Sequence, residues 1–214
     1  MGKVPSSVAP LGLTVNPMLD AAVGTGWEAW DAAARVAGVE TVTAWLAHRL
    51  GVPSAKGEAG PLVQALLDAH TSEERAEAAS ELAELVDGVD DLVADTLWEG
   101  VLAAGWEAED PDIIFEATVR LAGIAEAHGE LLAAAEYVIA FLNWRRQDGR
   151  VSDAEQVETA FDEVVRLATL DGAVRQAAVY AYRQAGYTRL VEEEDERAVE
   201  GDWERDRRPY EGWA

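Results

Sequence analysis

PDIIFEATVRLAGIAEAHGELLAAAEYVIAFL, residues 111–142, carries two helices and the turn between them. Asp110 supplies a capping carboxylate, and Pro111 stands in the first turn, where its missing N–H costs nothing. Ile114, Leu121 and Ile124 then fall on one face at helical spacing, and Leu131, Ala135, Val138 and Leu142 do so again after Gly129. A connection this short makes the two helices antiparallel neighbours, a helical hairpin.

The same grammar runs outward in both directions. Downstream, Ser152 with Glu155 forms a capping box ahead of Val157, Phe161, Val164 and Ala168, and Asp171-Gly172 is a stop. Upstream, Thr71-Ser72-Glu73-Glu74 is a second capping box, ended by Asp87-Gly88. Strand signals are missing throughout. The periodicity predicts helices over 19–38, 40–50, 61–70, 72–86, 90–104, 111–127, 130–147 and 153–170, with a ninth at 173–185 and a Gly/Pro/Ser loop from Gly51 to Gly60. The predicted fold is all-α: stacked antiparallel helical hairpins forming a short solenoid-like array of eight or nine helices. Residues 1–18 read as an extended arm and 19–190 as the helical-repeat domain. Residues 191–214, with ten acids against four Arg (net −6), read as an acidic, Trp-containing, solvated tail.

A ten-residue phrase recurs: WDAAARVAGV at 30–39, FEATVRLAGI at 115–124, FDEVVRLATL at 161–170 and a degenerate AEAASELAEL at 76–85. Spacing near 40 residues suits stacked two-helix repeats. The stretch Leu121–Leu142, with Gly129 between two helices and Ala134 inside the second, resembles a tetratricopeptide unit without that family's Trp and Tyr positions. The acid and Arg of the phrase, Asp31 with Arg35, Glu116 with Arg120 and Asp162 with Arg166, stand four apart. They are expected to pair along their own helices.

Composition bounds the function. Forty-one acids against 17 basic residues give a net charge of −24. A chain so charged repels nucleic acid and anionic membranes and draws basic partners. The 214 residues include no Cys, which excludes disulfides, thiolate metal sites and a Cys nucleophile. Lys is confined to Lys3 and Lys56 and Asn to Asn16 and Asn143, a bias that fits a high-GC bacterial or bacteriophage genome. The longest apolar run, Leu131 to Leu142, is too short to span a bilayer and is interrupted by Glu136. Met1-Gly2 with Ser6 matches a myristoylation pattern, but Pro5 inside it favours a chance match, and a cytoplasmic location is expected.

Catalytic and metal motifs are lacking. His48, His70 and His128 have neither the i,i+3 Glu-His spacing of di-iron bundles nor an HExxH frame. They read as helix-end surface residues, and no cofactor is expected. Trp98-Glu99-Gly100 is similar to the WxG element of small secreted helical-hairpin proteins; it falls inside a predicted helix and reads as packing. Trp27, Trp30 and Trp45 read as staples of the first hairpin, and Trp98, Trp106 and Trp144 as core or rim.

Two features point to a partner. From Thr71 to Thr96 nine acids face one Arg, and Glu73, Glu77, Glu81 and Glu84 share one helical face. Trp203, Tyr210 and Trp213 punctuate the tail as aromatic anchors. The leading expectation is a non-enzymatic acidic interaction module, an adaptor or assembly factor, that engages a basic protein. The alternatives are an acidic nucleic-acid mimic that occupies a DNA- or RNA-binding cleft, and a small-molecule enzyme built on scattered carboxylates.

Overall fold

The computed structural model describes residues 16–51, 55–148 and 154–172. Within them the chain is helical and without strands, as nine helices: α1 (Pro17–Val23), α2 (Trp27–Ala37), α3 (Val39–Arg49), α4 (Ala55–Asp68), α5 (Ser72–Val86), α6 (Asp91–Ala108), α7 (Pro111–Ala127), α8 (Leu131–Asp148) and α9 (Ala154–Leu170). The all-α array of neighbouring helices is the predicted one. Residues 1–15, the predicted helix 173–185 and the tail from 191 lie outside the described residues. No helix among the described residues is long and apolar enough to cross a membrane.

The caps are where the sequence puts them. The Thr71 hydroxyl accepts from the Glu74 N–H at 3.1 Å while Glu74 accepts from the Thr71 N–H at 3.3 Å, a complete capping box. Asp110 accepts from the N–H groups of Asp112 and Ile113. Gly129 (φ 79°) closes α7, with the Glu130 N–H donating to the Ala125 carbonyl at 2.8 Å.

Two predicted boundaries are corrected. The helix expected over 19–38 is two helices, α1 and α2, broken at Gly24-Thr25-Gly26, where Gly26 has φ 115°. The loop expected from Gly51 to Gly60 is helical from Ala55 onward, so that α4 runs through Gly57, Gly60 and Pro61.

The chain divides into two compact units, Met1–Ala117 and Thr118–Ala214. In the first, α1 packs on α2, α3 on α4, α4 on α5 and α5 on α6, and α1 and α2 also turn back onto α6. The core holds fully buried Trp30, Trp45 and Trp98 with Leu46, Leu66, Leu82 and Leu97. Trp27 and Trp30 stack at 5.7 Å, and Trp30 meets Trp45 at 6.4 Å. These three rings bind the first hairpin together as expected.

Trp98-Glu99-Gly100 explains how α2 is seated. Trp98 is wholly buried, and Glu99 Oε2 accepts from the Trp27 N–H at 3.1 Å, capping α2 from another helix. Gly100 leaves room for the Trp27 ring, since a Cβ there would lie 2.4 Å from Trp27 Cε3. In the second unit α8 packs against α9 around Phe141, Leu142, Val164 and Leu167, with Trp144 6.5 Å from Phe141.

Candidate protein-interaction surface

Helix α5 is amphipathic in the simplest way. Ala76, Ala79, Leu82, Ala83 and Val86 are buried, and Glu73, Glu77, Glu81 and Glu84 are exposed on the opposite face. At 1.5 Å per residue the four carboxylates extend roughly 16 Å along the helix. The only cation in α5 is Arg75, and its Nη1 donates to Glu107 Oε2 of α6 at 3.0 Å. Glu73, Glu77 and Glu81 form no ion pair among the described residues.

Beside this stripe runs a groove of about 430 Å³ between the end of α4 and α5, lined by Ala65, Asp68, His70, Glu74, Glu77 and Glu81. The backbone N–H groups of His70 and Thr71 hold the Glu74 carboxyl below the usual carboxylate range. Glu126 of α7 is likewise held low, by hydrogen bonds from Arg166. Both shifts run away from the range of a general acid at neutral pH. Among the described residues, no group of three His, Asp or Glu is placed to hold a metal ion. His48, His70 and His128 are all exposed.

The predicted arginine pairs are partly corrected. Arg35 does pair with Asp31, at 2.9 Å, and also donates to the Leu67 carbonyl of α4 at 3.1 Å. Arg166 pairs with Glu163 and Glu126 rather than with Asp162, joining α9 to α7 at 2.8 Å through Nη1. An arginine can bridge to a second helix because its fork carries several donors, whereas i,i+4 spacing offers only one local acceptor.

Sequence reasoning did not find a third cluster. Arg49 donates to both oxygens of Asp90 (2.5 and 3.1 Å) and to Asp20 (3.0 Å), and stacks 5.3 Å from the Trp45 ring centroid. Asp20 also accepts from Trp45 Nε1 at 2.9 Å. These two acids raise the pKa of Arg49 above its ordinary value, and the cluster ties α1, α3 and the start of α6 together. Its role is structural.

Trp106, expected in the core or rim, is 43% exposed at the end of α6. Trp203, Tyr210 and Trp213 lie outside the described residues. Comparison with protein-family models, with curated proteins and with solved structures returned no match, the tetratricopeptide family included.

Proposed function

We propose that this protein is a non-enzymatic interaction module whose α5 face engages a basic protein partner. The observation that carries this reading is the exposed row Glu73, Glu77, Glu81 and Glu84, whose local cation, Arg75, is committed to Glu107. Like charges four apart on a helix cost a few tenths of a kcal/mol each. Within the row, Glu73, Glu77 and Glu81 form no ion pair among the described residues and offer a surface that a basic partner can neutralise, and a net charge of −24 steers such a partner from a distance.

The test is the association rate of a basic partner recovered by affinity capture, measured by stopped flow between 20 and 300 mM salt. Glu77→Lys with Glu81→Lys should leave the fold intact and slow association about tenfold at low salt, the difference closing as salt rises. Unchanged rates at every salt concentration would sink the proposal. Competition by duplex DNA for the partner's site would turn the reading toward a nucleic-acid mimic.

A further inference from the structure

The groove between the end of α4 and α5 has a floor and a rim of different chemistry. Its apolar lining is alanine alone: Ala65 of α4, Ala69 just past its end and Ala78 of α5. Ala65 is exposed, Ala69 half-buried and Ala78 buried. Side chains this short leave a space of about 430 Å³ between the helices. The rim is carboxylate, and its members are not equivalent. Asp68 accepts from Gln64 Nε2 at 2.5 Å, and Glu74 is taken by the N–H groups of His70 and Thr71. Glu77 and Glu81 form no ion pair among the described residues. They stand one turn apart on α5, about 6 Å along its axis, so a single cation can sit between them. A space with an apolar floor and two unclaimed carboxylates fits a ligand that is apolar along its length and cationic at its tip.

We infer that this groove seats a lysine side chain of a basic protein partner, its methylene stem on Ala65, Ala69 and Ala78 and its ammonium between Glu77 and Glu81. The stem supplies affinity that an exposed ion pair lacks, because burial of methylenes is favourable where surface charge pairing is nearly neutral. The ammonium carries three donors, enough for both carboxylates. No aromatic ring lines the groove, so a guanidinium has no face to stack on and gains nothing over the compact ammonium. The inference rests on the proposed function for the charge of the partner. It adds a seat whose shape, and not only its charge, selects what binds.

The test uses the full-length protein, 13C-labelled at its alanine methyl groups, and the unlabelled synthetic peptide (Lys-Ala-Ala)4 at pH 8, where a histidine such as His70 is ordinarily neutral. The readouts are intermolecular Overhauser contacts and peptide affinity. Lysine methylenes should contact the methyl groups of Ala65 and Ala69. Ala65→Phe, at an exposed position, fills the groove without changing charge; it should weaken the peptide about tenfold, the worth of roughly two buried methylenes, with the melting temperature unchanged. Glu77→Gln with Glu81→Gln should weaken it at least as much. Glu73→Gln with Glu84→Gln, the same loss of charge outside the groove, should weaken it by under about threefold. Affinity untouched by Ala65→Phe, or equal losses from the two Glu pairs, overturns the groove while leaving the α5 reading intact. A parent protein that does not bind the peptide also overturns the groove, and the salt-dependent association rate judges the α5 reading separately.

Discussion

Replacing Gly100 by Ala should destabilise the first unit although Ala is the better helix former. Gly100 lies inside α6, where Ala is favoured by about 1 kcal/mol. Against that, the added Cβ would sit 2.4, 2.5 and 2.7 Å from Cε3, Cδ2 and Cζ3 of Trp27. These are atoms in the body of the ring, so the whole indole must swing. It is held by its stack on Trp30 at 5.7 Å, and its backbone N–H is held by Glu99. A Trp side chain buries about 150–250 Å², and exposing half of that costs about 2–3 kcal/mol at 25 cal/mol per Å². The net loss is therefore about 1–2 kcal/mol. Gly123→Ala is the control of opposite sign. Gly123 lies in α7 with nothing within 4 Å of an added Cβ, so the substitution should stabilise by about 0.4–1 kcal/mol. Urea titrations followed by far-UV circular dichroism measure both. A Gly100→Ala protein as stable as the parent, or more so, would refute the account of how α2 is seated. Truncating the ring in Trp27→Leu should make the Gly100→Ala penalty shrink, since the two effects share one contact.

Two further outcomes follow from the ion pairs. Arg49→Met should cost about 2 kcal/mol in urea unfolding, because it leaves Asp20 and Asp90 facing each other, partly buried, with their shared cation gone; a loss below 0.5 kcal/mol would show the cluster to be incidental. The Glu126 carboxyl is held low by Arg166, so its folded pKa lies below its unfolded value of about 4.3. Its contribution is thus complete above the unfolded pKa and is lost as pH falls through the folded one. The pair is exposed enough that this amounts to under 1 kcal/mol, and Glu126→Gln should flatten the acid limb of the stability–pH curve by that amount while leaving stability slopes above pH 6 unchanged.

The parts of the fold that were legible in the sequence are those with local causes. The Thr71–Glu74 capping box, the Asp110 cap and the Gly129 turn each involve residues within five positions of one another. The start of α2 has no such cause. The run from Leu19 to Ala37 keeps an unbroken helical period, but the Trp27 N–H finds its acceptor on Glu99, 72 positions away, and Gly26 takes φ 115° to allow it. At α4 the local chemistry points the other way. Gly57, Gly60 and Pro61 read as a loop running into a helix at its proline, whereas the helix forms through them from Ala55. The exposed acid row was legible because the buried Ala and Leu positions of α5 mark the opposite face.

The recurring phrase shows how the fold and the acid row are related. In the copies on α5, α7 and α9, the fourth, seventh and eighth positions are buried: Ala79, Leu82 and Ala83; Thr118, Leu121 and Ala122; Val164, Leu167 and Ala168. The second, sixth and ninth are exposed in all three. These are alternate helices, as a two-helix repeat requires. The copy on α2 does not share this register, for its seventh residue, Val36, is 80% exposed while Trp30, Ala33 and Ala34 make the core face. In the three matched copies the sixth position faces solvent, so core packing does not dictate the sign of its charge. On α9 it is Arg166, which ties Glu126 and Glu163. On α5 it is Glu81, flanked at the second and ninth positions by Glu77 and Glu84. Neutral or alternating residues would satisfy the core of α5 equally well and avoid the repulsion between Glu77 and Glu81. The uniform sign of that face is therefore not a requirement of the core, and the proposed recognition of a positively charged partner rests on it.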